Sequence, residues 1–271
     1  MSQEASNPKL RVTGDGSTSL YSENFDQLYH NPNGAVAESR HVFFETPGLT
    51  DAIKTDEHLT LFETGFGSGL NLLLVLDLLE RTGSTCKVDF YSIEAYPINA
   101  NLVDDFEFRD EPGLSDALHH LKQIFQRIQP GLNRFVISRQ LTLYLFYGTF
   151  EAFFEENREL THLPKRVDTF LHDPFSPDKN PEVWTKNVFE KLLAAGSKSC
   201  MLATYCAASA ARAAMAAAGW KVARARGALG KREMTVASPN PDRLSGFKRV
   251  NEKRLADRYH RGDFLNAVGK E

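Results

Sequence analysis

The chain has 271 residues, 42% of them hydrophobic, and a formal net charge of −3. This suits one α/β domain with additions, or two small domains, with ample apolar content for a core. No apolar run reaches the roughly 18 residues of a membrane span, and the start Met1-Ser2-Gln3-Glu4-Ala5-Ser6 has neither the basic nor the apolar region of a secretory leader; no membrane association and a soluble, cytoplasmic protein are expected.

In chain order, residues 1–10 are polar and read as disordered. Residues 11–46, with Gly14, Gly16 and Pro32-Asn33-Gly34, read as short strands and turns, so that 1–46 forms an N-terminal extension. A core over 47–238 then alternates between periods. Strand 59–63 leads to helix 69–80, and strand 87–94 follows. The helical spacing of Leu118, Leu121, Ile124, Phe125 and Ile128 predicts a helical insertion within 98–140. Strand 141–147 leads to helix 150–158, and strand 167–172 to a loop and helix 181–195, closed by Gly196. Strand 199–204 leads to an Ala-rich helix, 208–218, closed by Gly219. Strands 220–225 and 232–237 are joined so closely, between Gly227 and Gly230, that they must be antiparallel. Residues 239–271 form a basic C-terminal tail or helix. Strands alternating with helices of this length predict a Rossmann-like α/β fold: a mostly parallel, seven-stranded sheet, helices on both faces, and an antiparallel terminal strand.

Cys86, Cys200 and Cys206 lack C-x-x-C spacing and read as reduced, buried thiols, with no disulfide framework and no metal site. Charge is uneven. From Lys221 onward there are 13 Lys/Arg against 6 Asp/Glu, or +7, which leaves −10 on the first 220 residues. Such a basic end on an acidic chain is either an electrostatic footprint for a polyanion or a solvated surface helix near Lys248 to Arg261.

The densest chemical signal is the turn Phe62-Glu63-Thr64-Gly65-Phe66-Gly67-Ser68-Gly69-Leu70-Asn71. A strand entering a helix through such a turn leaves the first helical N–H groups unblocked by side chains. A pyrophosphate cradle for NAD has G-x-G-x-x-G spacing. Here the spacing is E-x-G-x-G-x-G, which resembles the first motif of class I S-adenosylmethionine methyltransferases, whose sheets also end in an antiparallel pair. About 25 residues on, strand 87–94 ends in Glu94, placed to accept both ribose hydroxyls of a nucleoside cofactor. The fourth core strand ends in His172-Asp173-Pro174-Phe175-Ser176-Pro177-Asp178-Lys179-Asn180-Pro181. Its prolines stiffen a loop that holds a carboxylate and an aromatic ring beside the cofactor. Asp-Pro-aromatic here resembles the loop with which amine-directed nucleic-acid methyltransferases hold a target nitrogen: an attacking amine must be uncharged, a carboxylate can accept its N–H hydrogen bonds and its proton, and Phe175 can stack on a base or face a sulfonium. His172, at the end of an apolar strand, reads as a packed histidine rather than a base, and Trp184 and Phe189, at helical spacing, read as core.

The loop D-P-F-S-P-D-K-N-P-x-x-W is similar to the signature of the tRNA wobble-uridine 5-methylaminomethyl-2-thiouridine methyltransferase family, as are F-E-T-G-F-G-S-G-L-N, the segment Thr204 to Arg212, Gly230 to Met234, and Tyr21 to Phe44. The resemblance spans about residues 20–238. It implies S-adenosyl-L-methionine as cofactor and tRNA as partner, with methylation of 5-aminomethyl-2-thiouridine at the wobble position. By it, Glu63, Gly65, Gly67, Gly69, Asn71, Glu94, Thr149 and Asp173 fall at cofactor positions; Asp173 is also the acid at the substrate amine and Phe175 its aromatic neighbour. Lys179, Arg212, Lys231 and Arg232 are candidate tRNA contacts. Thr149 stands where the family has an acid for the adenine amine, so that contact falls to Thr149 or moves to Glu151, and Pro174 replaces a glycine. Many relatives carry a fused flavin oxidoreductase domain. With about 33 residues after 238, the chain resembles the stand-alone form, served by a separate enzyme that supplies the aminomethyl intermediate. The competing readings are methylation of a protein or small-molecule amine, and a tRNA-binding module of the same fold without turnover. A dehydrogenase is disfavoured by the third glycine and by the lack of a recognisable Tyr/Lys or His pair.

Overall fold

A computed structural model describes residues 8–156 and 166–264. The disorder expected over 1–7, the last residues of the helix expected over 150–158 and the end of the basic tail lie outside the described residues. Residues 9 and 10, expected to be disordered, instead belong to β1 (Lys9–Val12), which pairs antiparallel with β2 (Thr18–Ser22). The strand β2 is buried along most of its length and pairs on its other side with β3 (Gln27–Leu28), which gives β1 an ordered partner despite its own exposure. Next come α1 (Ala35–Ser39), a π-helical turn over Arg40–Glu45, and α2 (Leu49–Thr55).

The core runs β4 (His58–Thr64), α3 (Leu70–Thr82), β5 (Lys87–Glu94), α4 (Pro112–Asp116), α5 (Leu118–Arg127), β6 (Gly131–Val136), β7 (Leu141–Tyr147) and α6 (Phe150–Glu156). It continues with β8 (Val167–His172), α7 (Lys186–Ala195), β9 (Gly196–Thr204), α8 (Ser209–Ala217), β10 (Lys221–Ala225) and β11 (Met234–Ser238). A two-residue strand β12 (Lys248–Arg249) and α9 (Glu252–His260) follow. The strand order is β12-β10-β11-β9-β8-β4-β5-β7-β6. The five central strands, β7-β5-β4-β8-β9, are parallel, and the pairings outside them are antiparallel.

The seven expected strands are all present, and the sheet gains an edge strand at each side. On β6 the burial alternates, but the outward residues are Leu132, Arg134 and Val136, so no apolar/polar alternation marks it in the sequence, and the insertion expected to be helical over 98–140 contains a strand. The other, β12, is two exposed basic residues with no signal at all. The helix expected over 181–195 breaks at Thr185. Pro181 opens a short 3-10 turn, and the Thr185 side chain then caps α7 by accepting the Val188 N–H.

The buried strands β4 and β8 read as apolar runs because helices cover both faces. Trp184 and Phe189 are core, as expected, and His172 lies wholly buried between them, its ring centroid 4.5 Å from that of Trp184. Burial lowers the His172 pKa to about 3, so it stays neutral. The three cysteines are free and buried.

Arg212, on α8, ties that helix to β11. Its guanidinium donates to Thr235 Oγ1 at 2.9 Å, Glu233 at 3.1 Å and the Met234 carbonyl at 3.2 Å, and the residue is only 6% exposed. Three of its five N–H donors are thus directed to β11 and its approach, which gives this candidate tRNA contact a structural role inside the protein. Arg212→Ala should lower the free energy of unfolding by about 2–4 kcal/mol, the scale of losing charged hydrogen bonds at a buried site. Urea titration measures it, and a loss under about 0.5 kcal/mol would contradict the clamp.

Candidate functional site

The parallel strands β4, β5, β7 and β8 all end at one rim, where open α/β sheets place their ligands. The turn after β4 holds Gly65, Gly67 and Gly69 at φ of 91°, 56° and 80°, in the left-handed region that side chains disfavour. A Cβ on Gly65 would lie 3.0 Å from the Asp173 carbonyl oxygen, and one on Gly67 3.1 Å from the ring of Tyr29. Glycine here lets β4 and β8 deliver two loops into contact. No side chain caps the start of α3.

A cavity of about 740 Å³ opens over this turn. Gly65, Gly67, Glu94, Thr149, Asp173 and Phe175 line it. Glu94 joins two of its walls, with one carboxylate oxygen accepting the Gly67 N–H at 2.7 Å and the other the Tyr96 N–H at 2.8 Å. Both oxygens keep lone pairs for further donors. Thr149 is exposed, and its hydroxyl accepts the Ala152 N–H at 3.1 Å, so it is the N-terminal cap of α6. Glu151 lines the same wall.

Three residues expected at the cofactor sit behind the wall. Gly69 starts α3 beneath it, and a Cβ there would meet Leu121 at 2.4 Å. Glu63 is 1% exposed and does not line the cavity. Its carboxyl accepts from Asn71 Nδ2 at 2.9 Å and from Ser92 Oγ at 2.6 Å. Asn71 also reaches Asp173 Oδ2, at 3.3 Å, so it bridges the two acids. Burial pushes the Glu63 pKa up to about 8. Burial, followed by the charges of Glu63 and Glu38, raises that of Asp173 well above the carboxylate range. Burial raises Glu94 as well.

Phe175 does not stand alone. Its ring stacks on Phe25 at 4.4 Å and meets the edge of Tyr29 at 5.1 Å, so one face is already covered. The Phe175 carbonyl accepts from Trp184 Nε1 at 2.8 Å, the Pro174 carbonyl from the Tyr205 hydroxyl at 2.8 Å, and Gln27 Oε1 from the Ser176 N–H at 3.2 Å. The loop is thus fixed from three directions. Beyond Asp173 lies a second cavity of about 290 Å³ lined by Tyr29, His30, Glu38, Tyr205 and Lys231, with Asp173 shared by both. Phe25, Gln27, Tyr29, His30 and Glu38 carry no local signal of a site in the sequence; the resemblance of Tyr21 to Phe44 to family members was the only pointer to them.

Of the candidate tRNA contacts, Lys179 is exposed and paired with Asp26 at 2.9 Å, and Arg232 is exposed. Lys231 instead faces the second cavity, its Nζ 2.7 Å from Glu38 Oε1 and 5.2 Å from the centre of the Tyr205 ring.

Residues 112–240 match the model of a family described as S-adenosyl-L-methionine-dependent methyltransferase. The chain is 34% identical over 221 residues to the tRNA 5-methylaminomethyl-2-thiouridine biosynthesis bifunctional protein MnmC of Ralstonia nicotianae, a match covering 80% of this chain and 32% of the relative. Its likeness to the MnmC of Cupriavidus metallidurans is 35% over 234 residues, 83% of this chain and 33% of the relative. The chain belongs to the S-adenosyl-L-methionine-dependent methyltransferases. This methyltransferase therefore spans about a third of the length of the curated relatives it matches. Its fold is that of the crystal structure of MnmC2 from Aquifex aeolicus, with a TM-score of 0.68 at 22% identity over 88% of this chain and 71% of that one.

The cofactor of the family is S-adenosyl-L-methionine, and the residues present fit it. Glu94, Asp173 and Glu63 beneath the turn gather acids whose protons burial helps to retain; a cationic ligand can displace those protons, so this end suits a ligand carrying a sulfonium and an ammonium and opposes a pyrophosphate. Glu94 would hold the ribose hydroxyls, Gly65 and Gly67 would let the ligand approach the backbone, and Thr149 or Glu151 would meet the adenine.

Two outcomes follow. Glu94→Ala should weaken binding of S-adenosylhomocysteine by about 1–3 kcal/mol in titration calorimetry, with NAD binding neither variant; equal affinities would exclude Glu94 as a ligand. The second concerns pH. Glu63 titrates near 4.5 in the unfolded chain and at about 8 in the folded one, so the folded state holds a proton that the unfolded state releases. Stability should therefore fall as pH rises from about 4.5 to about 8 and level off above, with at most about 1.4 kcal/mol per pH unit from this one group. Glu63→Gln should flatten the slope in urea titrations between pH 5 and 8, and an unchanged slope would show that Glu63 is ionised in the fold.

Proposed function

We propose that this methyltransferase transfers a methyl group to the exocyclic amine of 5-aminomethyl-2-thiouridine at the wobble position of tRNA, giving the 5-methylaminomethyl product. The observation that carries the reading is the position of Asp173, the acid common to the cofactor cavity and the second cavity. The printed name of the relatives supports the acceptor. In this reading residues 47–238 are the catalytic core, 1–46 supply the acceptor wall, and 239–271 are an appended basic segment. A separate enzyme makes the aminomethyl intermediate, and the work is done in the cytoplasm, where tRNA resides; among the described residues no helix is long and apolar enough to cross a membrane.

Bound S-adenosyl-L-methionine supplies an electrophilic methyl group on a sulfonium. Everything else falls to the chain. An alkylammonium is mostly protonated at neutral pH and has no lone pair to attack with. Asp173, ionised by the arrival of that cation, accepts one proton and orients the freed lone pair. With the cofactor bound, its sulfur would keep the electron pair of the broken C–S bond as the N–C bond forms, and Asp173, once it has passed the first proton to solvent, can take the second from the nitrogen. A carboxyl held above its ordinary range is the better acceptor for this purpose. Asn71 fixes its rotamer and links it to Glu63, while Phe175, backed by Phe25, closes the site to water.

Asp173→Asn and Asp173→Ala should reduce methyl transfer to 5-aminomethyl-2-thiouridine tRNA by on the order of 10²–10⁴ and leave S-adenosylhomocysteine affinity nearly unchanged. Single-turnover rates with calorimetry measure both. Rates near wild type in both variants would reduce Asp173 to a loop residue.

A further inference from the structure

Lys231 was expected to meet tRNA phosphates; its side chain is 42% exposed, and its ammonium is held at Glu38 beside the second cavity. Among the described residues it is the one cationic side chain lining the second cavity, since His30, whose pKa burial lowers to about 4, is neutral there. Two acids line the same cavity, Glu38 and Asp173. Glu38 is 8% exposed and accepts three donors: Lys231 Nζ, Asn31 Nδ2 at 3.1 Å and the Asn31 N–H at 3.0 Å. A carboxylate takes about four, and an ammonium donates three. The pair therefore presents an unspent acceptor beside unspent donors, within a cavity of about 290 Å³ that suits one base rather than two.

We propose that this cavity holds the pyrimidine ring of the acceptor, and that Lys231 with Glu38 selects uracil by its hydrogen-bonding edge. The inference rests on the acceptor reading given above. A 5-aminomethyl group directed at Asp173 leaves the C4 carbonyl as the next atom along the ring edge and N3–H as the one after. Asp173, Glu38 and Lys231 line the one cavity, and Lys231 touches Glu38, so an acid, a donor and an acceptor are all within reach of that ring edge. Cytosine reverses both positions: its 4-amino group would face the ammonium, and its unprotonated N3 would face the carboxylate. A wobble base lies in a single-stranded loop, so its edge is accessible at small unstacking cost.

The test uses anticodon stem-loops carrying 5-aminomethyluridine or 5-aminomethylcytidine at the wobble position, with wild type, Lys231→Met, Glu38→Gln and, as a surface comparison, Arg232→Ala. Wild type should favour the uridine RNA by on the order of 10² or more in kcat/KM, as sites built around buried hydrogen-bonding groups do. Lys231→Met and Glu38→Gln should each compress that ratio to within about tenfold, while S-adenosylhomocysteine affinity and the salt dependence of RNA binding stay at wild-type values. Arg232→Ala should retain the ratio. Undiminished discrimination in both Lys231→Met and Glu38→Gln would overturn the inference. So would a Lys231→Met variant that weakens both RNAs equally and lowers the salt slope by about one phosphate contact, which would return Lys231 to the backbone. Methylation of neither RNA by the wild type would overturn the acceptor assignment and this inference with it, whereas an intact uridine reaction with unaltered variants would overturn this inference alone.

Discussion

Three carboxyl groups gathered beneath and around one glycine turn set the terms for the whole site. Glu63 is the last residue but one of β4, Glu94 ends β5 and Asp173 follows β8, and no arginine or lysine of the turn neutralises them. Packing acids this closely in a dry interior is unfavourable, and the fold meets the cost with protons and backbone donors. Asn71 holds two of the acids together, and Gly67 and Tyr96 donate to the third. An empty site of this kind retains protons that a cationic ligand can displace, so its affinity for cations is a property of the strand ends rather than of any single residue.

The same crowding explains why the backbone is glycine-rich where it is. Gly65 lies against the Asp173 carbonyl because the loops after β4 and β8 must touch for Asn71 to bridge their acids. The prolines on the β8 loop, the Trp184 indole, the Tyr205 hydroxyl and Gln27 then hold that loop from outside. The site is thus positioned by core residues as much as by its own lining: Trp184 is entirely buried and still sets the height of Phe175 through one hydrogen bond.

Much of this is legible in the sequence, and what is not has specific causes. The central strands announce themselves because burial on both faces leaves apolar runs, and the glycine spacing with Glu94 marks the nucleoside end. The edge strands are silent: β6 turns Leu132 and Val136 outward, and β12 is two basic residues. Basic residues within the family motifs suggested that Arg212 and Lys231 served tRNA. Arg212 is drawn inside to β11, while Lys231 stays partly in solvent and is held at Glu38 by a charge-assisted hydrogen bond. Glu63 and Asn71 carry the right motif but act through Asp173, a distinction between lining and supporting residues that no linear pattern encodes.

The two halves of the site differ in how far apart their parts lie along the chain. Glycine turn and ribose acid are neighbours in sequence, 27 residues apart at the Gly67–Glu94 hydrogen bond. The acceptor side is tied by Gln27 to Ser176, Asp26 to Lys179 and Glu38 to Lys231, separations of 149, 153 and 193 residues. Contacts that close such long loops repay their entropy only once the sheet between them exists, so the cofactor half can be native while the half closed by the N-terminal segment is still open. The N-terminal segment is in this sense a clasp over a finished sheet, the last part of the site to be drawn shut.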